Sequence, residues 1–118
     1  MRKALARLLK THGFWVEGFA LGEELLAACA TRLPDCLVLD LHMPGLNGFA
    51  VLEHFAARRT PITTIVVTGH DAPGNAERVR ALGAVDYLLK PLDESQLLAA
   101  INKGIRTVED VQSQTGDP

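Results

Sequence analysis

The chain has 118 residues, 47% hydrophobic and 22% charged, which suits one globular domain with one core and excludes an intrinsically disordered chain. The formal net charge is −2, and Lys and Arg are scattered, so no basic field of the kind that holds nucleic acid or an anionic membrane is present. No apolar stretch is long enough to span a bilayer, and Cys29 and Cys36 lie in apolar surroundings, so they read as free buried thiols that fit a cytoplasmic location.

In chain order, Ala4, Leu5, Leu8 and Leu9 recur at helical spacing between Arg2, Lys3, Arg7 and Lys10. This predicts an amphipathic helix from almost the first residue, capped by Gly13. Phe14 to Phe19 reads as a short strand, with Trp15 and Val16 supplying β propensity. Gly22 opens a second helix, and Glu23 and Glu24 suit its positive N-terminal end. Pro34 stops that helix.

Leu37-Val-Leu-Asp40 follows, a short apolar run that ends on an acid. Such a run, bounded by turn residues, predicts a strand buried on both faces. Met43-Pro44-Gly45 turns the chain, and Asn47 caps a helix from Gly48 to about Ala57. Ile62 to Val67 is a second apolar, β-branched strand, ending at Thr68-Gly69-His70. A short helix with Val79 and Leu82 inward ends at Gly83. Val85 to Leu89 forms the next strand, ending at Lys90-Pro91. Asp93 caps the last helix, whose buried stripe is Leu97, Leu98, Ile101 and Ile105. Residues 107–118 are polar and aperiodic and read as a tail or linker start after a domain of residues 1–106.

Strict alternation of helices with buried strands predicts an α/β fold: an open parallel sheet flanked by helices on both faces. In a parallel sheet the polar ends Asp40, Thr68 and Lys90 share one edge, where open α/β sheets bind ligands. Taken singly, each is an ordinary turn residue. Together they are an acid, a hydroxyl and an ammonium. A carboxylate can attack phosphorus to form an acyl phosphate. Lys90, Thr68 and backbone N–H groups near Met43 and Gly69 would hold the phosphoryl oxygens.

The ordered set Asp40-Leu-His-Met-Pro-Gly-Leu-Asn-Gly48, Val67-Thr68-Gly69, Gly83-Ala-Val-Asp-Tyr87 and Lys90-Pro91 resembles the receiver domain of two-component response regulators. The resemblance runs from the first helix to about Ile105 and implies a flavodoxin-like fold. It implies that Asp40 is the phosphoacceptor, Thr68 and Tyr87 the switch residues, and Lys90 the family's lysine. The His42 backbone carbonyl matches a Mg²⁺ ligand, and His42, Met43, Gly69 and His70 flank the pocket. It also implies a histidine kinase or phosphotransfer protein as donor, and an output domain or protein partner reading the surface of residues 75–106. Such a domain is a signalling module rather than an enzyme, with self-catalysed phosphoryl transfer and slow dephosphorylation at most.

The chain departs from that family at its front. Receivers normally begin with an apolar strand followed by an acidic pair that binds Mg²⁺, and neither precedes the first helix here. The absent strand would be central in the order 2-1-3-4-5, leaving its neighbours without ladder partners. Mg²⁺ would keep Asp40 and the His42 carbonyl but lose its other carboxylates, so metal binding should be weak or lost. The intact first helix points to a start upstream of Met1 rather than a natural strandless receiver. If the chain folds as it stands, either Trp15–Phe19 pairs with Cys36–Leu39, or a second chain fills the slot by strand exchange.

Three functions compete. The first is the phosphoacceptor; the second is a phosphorylation-independent pseudo-receiver, a binding module favoured by the missing acids. The third, a small hydrolase with an aspartyl nucleophile, lacks a second acid near Asp40. A transition-metal site from Asp40, His42 and His70 has the right donor types. His12 and His54 read as surface residues, and Trp15 as packing on an edge strand.

Overall fold

The computed structural model describes residues 2–43 and 45–115. The elements run α1 (Arg2–Thr11), α2 (Gly22–Thr31), β1 (Cys36–Asp40), α3 (Gly48–Ala57), β2 (Thr63–Thr68), α4 (Asn75–Ala81), β3 (Asp86–Leu89) and α5 (Glu94–Thr115). The three strands form one parallel sheet in the order β1-β2-β3.

β2 is the middle strand, and every residue of it is buried. A strand covered on both faces needs side chains that pack on a pleated surface, which Thr63-Thr-Ile-Val-Val-Thr68 supplies. One face packs against α2, α3 and α4 through Leu25, Leu39, Val51, Phe55, Val66 and Val79. The other packs against α1 and α5 through Leu9, Ile65, Leu97 and Ile101. Each fully buried Leu, Ile or Val here contributes roughly 1.5–3 kcal/mol of hydrophobic stabilisation.

Sequence-encoded caps define the helix starts. Asn47 accepts from the Ala50 N–H at 3.0 Å, and Asp93 accepts from the Gln96 N–H at 3.1 Å. Both cysteines are free thiols, Cys29 buried and Cys36 partly so.

Two expectations fail. Phe14–Phe19 forms no strand, and it does not pair with β1. A strand exists only with a ladder partner, and β propensity at Trp15 and Val16 cannot replace one. Trp15 is instead 90% exposed. The last helix does not end near residue 106, as α5 runs on to Thr115. No Pro or Gly interrupts that stretch, and extending a formed helix costs little.

Among the described residues β1 is an edge strand, although its sequence is that of a covered one. Leu37 and Leu39 are buried, Leu39 to 1% exposure. Against the open side of β1 lies a cavity of about 840 Å³ lined by Leu9, Phe14, Val16, Leu37, Val38 and Ile101, among others. An unpaired edge beside an apolar cavity is a template for association. Light scattering after gel filtration should therefore show a mass that rises with loading concentration, with a blue shift of Trp15 emission. A monomer at every concentration would show that the edge is satisfied within one chain.

Candidate functional site

The site is assembled by register. β1 pairs with β2 so that Asp40 lies opposite Val67, and β2 pairs with β3 so that Thr68 lies opposite Leu89. The pairing continues one step past the strands: the Leu41 N–H donates to the Val67 carbonyl at 3.3 Å, and the Lys90 N–H to the Thr68 carbonyl at 2.8 Å. Asp40, Thr68 and Lys90 thus leave the sheet at one edge, side by side.

Lys90 Nζ donates to Asp40 Oδ2 at 2.5 Å, with 29% and 24% of the two side chains exposed. The other carboxylate oxygen, Oδ1, accepts from the His42 N–H at 2.9 Å. Gly48 is required at the start of α3, because a Cβ there would lie 2.7 Å from both the Asp40 carbonyl oxygen and Leu41 Cα. The helix after the acid is packed directly onto the backbone that carries it.

Thr68 is fully buried at 0% exposure. Its hydroxyl donates to the His70 carbonyl and accepts from the His70 N–H, both at 3.1 Å. The hydroxyl is therefore committed to its own turn and not to Asp40. Tyr87 is half-buried, and its hydroxyl donates to Asp71 Oδ1 at 2.9 Å. Burial first, and then the Asp71 bond, push the Tyr87 phenol above its ordinary value. Met43 packs on the core, whereas His42, Gly69 and His70 are exposed.

The His42 and His70 rings meet edge to face, with centroids 6.0 Å apart. Among the described residues no three His, Cys, Asp or Glu side chains stand where they would hold one metal ion, so the transition-metal reading fails. Both Asp40 oxygens are already engaged by Lys90 and His42. One engaged carboxylate and the His42 carbonyl fall short of a Mg²⁺ donor set.

The matches to known proteins identify the family. The family profile described as "Response regulator receiver domain" covers residues 1–102. The chain belongs to the response regulator receiver family. Among its relatives, this receiver is 38% identical over 110 residues to the transcriptional regulatory protein FixJ of Bradyrhizobium diazoefficiens, covering 92% of this chain and 53% of that protein. It is 34% identical over 112 residues to the DNA-binding transcriptional regulator NtrC of Salmonella typhimurium, covering 95% of this chain and 24% of that one. The receiver thus spans about half of the one relative and a quarter of the other. Its fold superposes on response regulator StyR with a TM-score of 0.87 at 32% identity, covering 98% of this chain and 59% of that one. It superposes on FixJ-N with a TM-score of 0.80 at 32% identity, covering 89% and 84%. No helix among the described residues is long and apolar enough to cross a membrane.

Two partners of the receiver site escape sequence reasoning. Asp71 holds the Tyr87 hydroxyl, and Glu23 accepts from the Leu46 N–H at 2.9 Å in the loop after Asp40. The only available signal for Asp71 is its place three residues beyond Thr68. Tyr87 is the one tyrosine of the chain, so the ultraviolet absorbance change on phenol ionisation reports it alone. Its titration midpoint should lie above that of free tyrosine, about 10. In Asp71→Ala it should fall, because an acceptor of the phenol proton and a nearby negative charge are both removed. A midpoint unmoved by that change would mean that Asp71 does not hold the hydroxyl in solution.

Proposed function

We propose that Asp40 of this receiver accepts a phosphoryl group from a histidine kinase or phosphotransfer protein, with Lys90 and Thr68 binding the phosphoryl oxygens. The observation that carries this reading is the Lys90–Asp40 ion pair at the strand ends, with Thr68 one register step away. In the transfer, a carboxylate oxygen of Asp40 forms a bond to phosphorus while the bond from phosphorus to the donor breaks. The electron pair of the broken bond leaves with the donor. Lys90 moves from the carboxylate to a phosphoryl oxygen, and so neutralises the charge that arrives. Thr68 supplies its hydroxyl after giving up the His70 carbonyl.

The change is transmitted through Tyr87, on the strand that leads to Lys90. A phosphoryl group that engages Thr68 competes with its local turn, and Tyr87 then leaves Asp71. The surface of residues 75–106 carries the exposed apolar side chains Val85 and Leu89, which suit contact with an output domain or protein partner. Dephosphorylation is slow and self-catalysed. Asp40 and the His42 carbonyl would be the groups here that hold Mg²⁺, which when bound would neutralise charge on the phosphoryl oxygens.

Incubation with acetyl phosphate, followed by intact-mass measurement, should show the gain of one phosphoryl group. Asp40→Asn should abolish it. Lys90→Ala should slow it by roughly 10²-fold, the usual loss on removing one charge-stabilising donor. An adduct that persists in Asp40→Asn would place the chemistry elsewhere.

A further inference from the structure

Glu23 stands in the first turn of α2, where a carboxylate is ordinarily explained by the positive end of the helix. Its geometry says more. Oε1 accepts from the Leu46 N–H at 2.9 Å, across 23 residues of sequence. Leu46 belongs to the loop that follows Asp40. Gly45, in the left-handed region at φ +73, leaves the carboxylate its room: a Cβ there would lie 3.0 Å and 3.2 Å from the two Glu23 oxygens. Gly22, the neighbour of Glu23, is pressed on the same loop, since a Cβ on it would lie 2.6 Å from the Leu46 carbonyl oxygen. Two glycines thus let the helix start and the loop touch, and one carboxylate joins them.

The loop matters because of what it carries. At its near end the His42 N–H donates to Asp40 Oδ1, and at its far end the Gly48 N–H donates to the Leu41 carbonyl. Between those ends, Leu46 N–H is the described backbone group tied to another element, and Glu23 is what ties it. We propose that Glu23 is a positioning residue: it anchors the loop after Asp40 and thereby holds the His42 N–H on the acceptor carboxylate. Its value for phosphoryl transfer rests on the phosphoacceptor reading of Asp40; its anchoring role does not.

The chemistry of Glu23 separates this role from a plain helix-dipole role. Gln keeps the side-chain length and an accepting oxygen but loses the charge. Asp keeps the charge at the helix start but is one methylene short of Leu46. Residue-resolved amide exchange by NMR on the full chain should therefore show the Leu46 and His42 N–H groups exchanging at least about tenfold faster in Glu23→Ala and Glu23→Asp, the effect of losing one charge-assisted hydrogen bond. Glu23→Gln should stay near the unmodified protein. Glu24→Gln, which changes the charge of the same turn, should leave both amides unchanged. The proposal is overturned if His42 exchange is the same in all variants. The reverse order, with Asp silent and Gln as damaging as Ala, would assign Glu23 to the helix dipole instead. Failure of the unmodified protein to take a phosphoryl group would sink the phosphoacceptor reading, while exchange at His42 would still decide the anchor.

Discussion

The ladder of β2 is the constraint on which the rest depends. β2 is paired on both sides and covered on both faces, so its register with β1 and β3 is fixed along its length. A slip of one residue on either side would turn the buried set of a strand to the wrong face. It would also carry Asp40 or Lys90 away from Thr68. The Lys90–Asp40 bond is thus a consequence of apolar packing several residues away, and the helices that cover Ile65, Val66 and Val67 help to place the charges.

The charges themselves are held in a poised state. Breaking a fully buried ion pair by removing one partner costs about 3–5 kcal/mol. With 24% and 29% of these side chains in solvent, the cost here is smaller, because water screens the charge left behind. That balance is compatible with the proposed transfer, in which Lys90 leaves the carboxylate for a phosphoryl oxygen. Thr68 and Tyr87 are satisfied in the same provisional way, one by its own turn and the other by the exposed Asp71. Each of the three groups already has a partner, so the proposed switch would be an exchange of partners rather than a gain of new ones.

How far the sequence foretells this structure depends on the range of the forces. Asp40, Thr68 and Lys90 were legible because each ends an apolar run, and parallel strands bring such ends together. The caps at Asn47 and Asp93 were legible because capping acts over three residues. Phe14–Phe19 was misread because its propensity is local and its ladder partner is not. The helix beyond residue 106 was misread because a polar stretch with no apolar stripe can still extend a helix already formed. Asp71 and Glu23 were out of reach, since their partners Tyr87 and Leu46 lie 16 and 23 residues away and no periodicity links them.

The open edge of β1 and the anchors around Asp40 belong to one mechanical problem. Among the described residues, Asp40 is carried by a strand with a ladder on one side only, next to a cavity. Such a strand is free to twist unless something outside the sheet holds its end. Three contacts do so. Leu41 continues the ladder to Val67, Gly48 brings α3 onto the Asp40 backbone, and Glu23 ties the following loop to α2. Each acts within a few residues of the carboxylate, and none uses the side of β1 that faces away from β2. The acceptor geometry is therefore decoupled, in part, from the edge beside it. Filling that edge would stiffen β1 as a whole, whereas the direction in which Asp40 points is set by the loop that follows it.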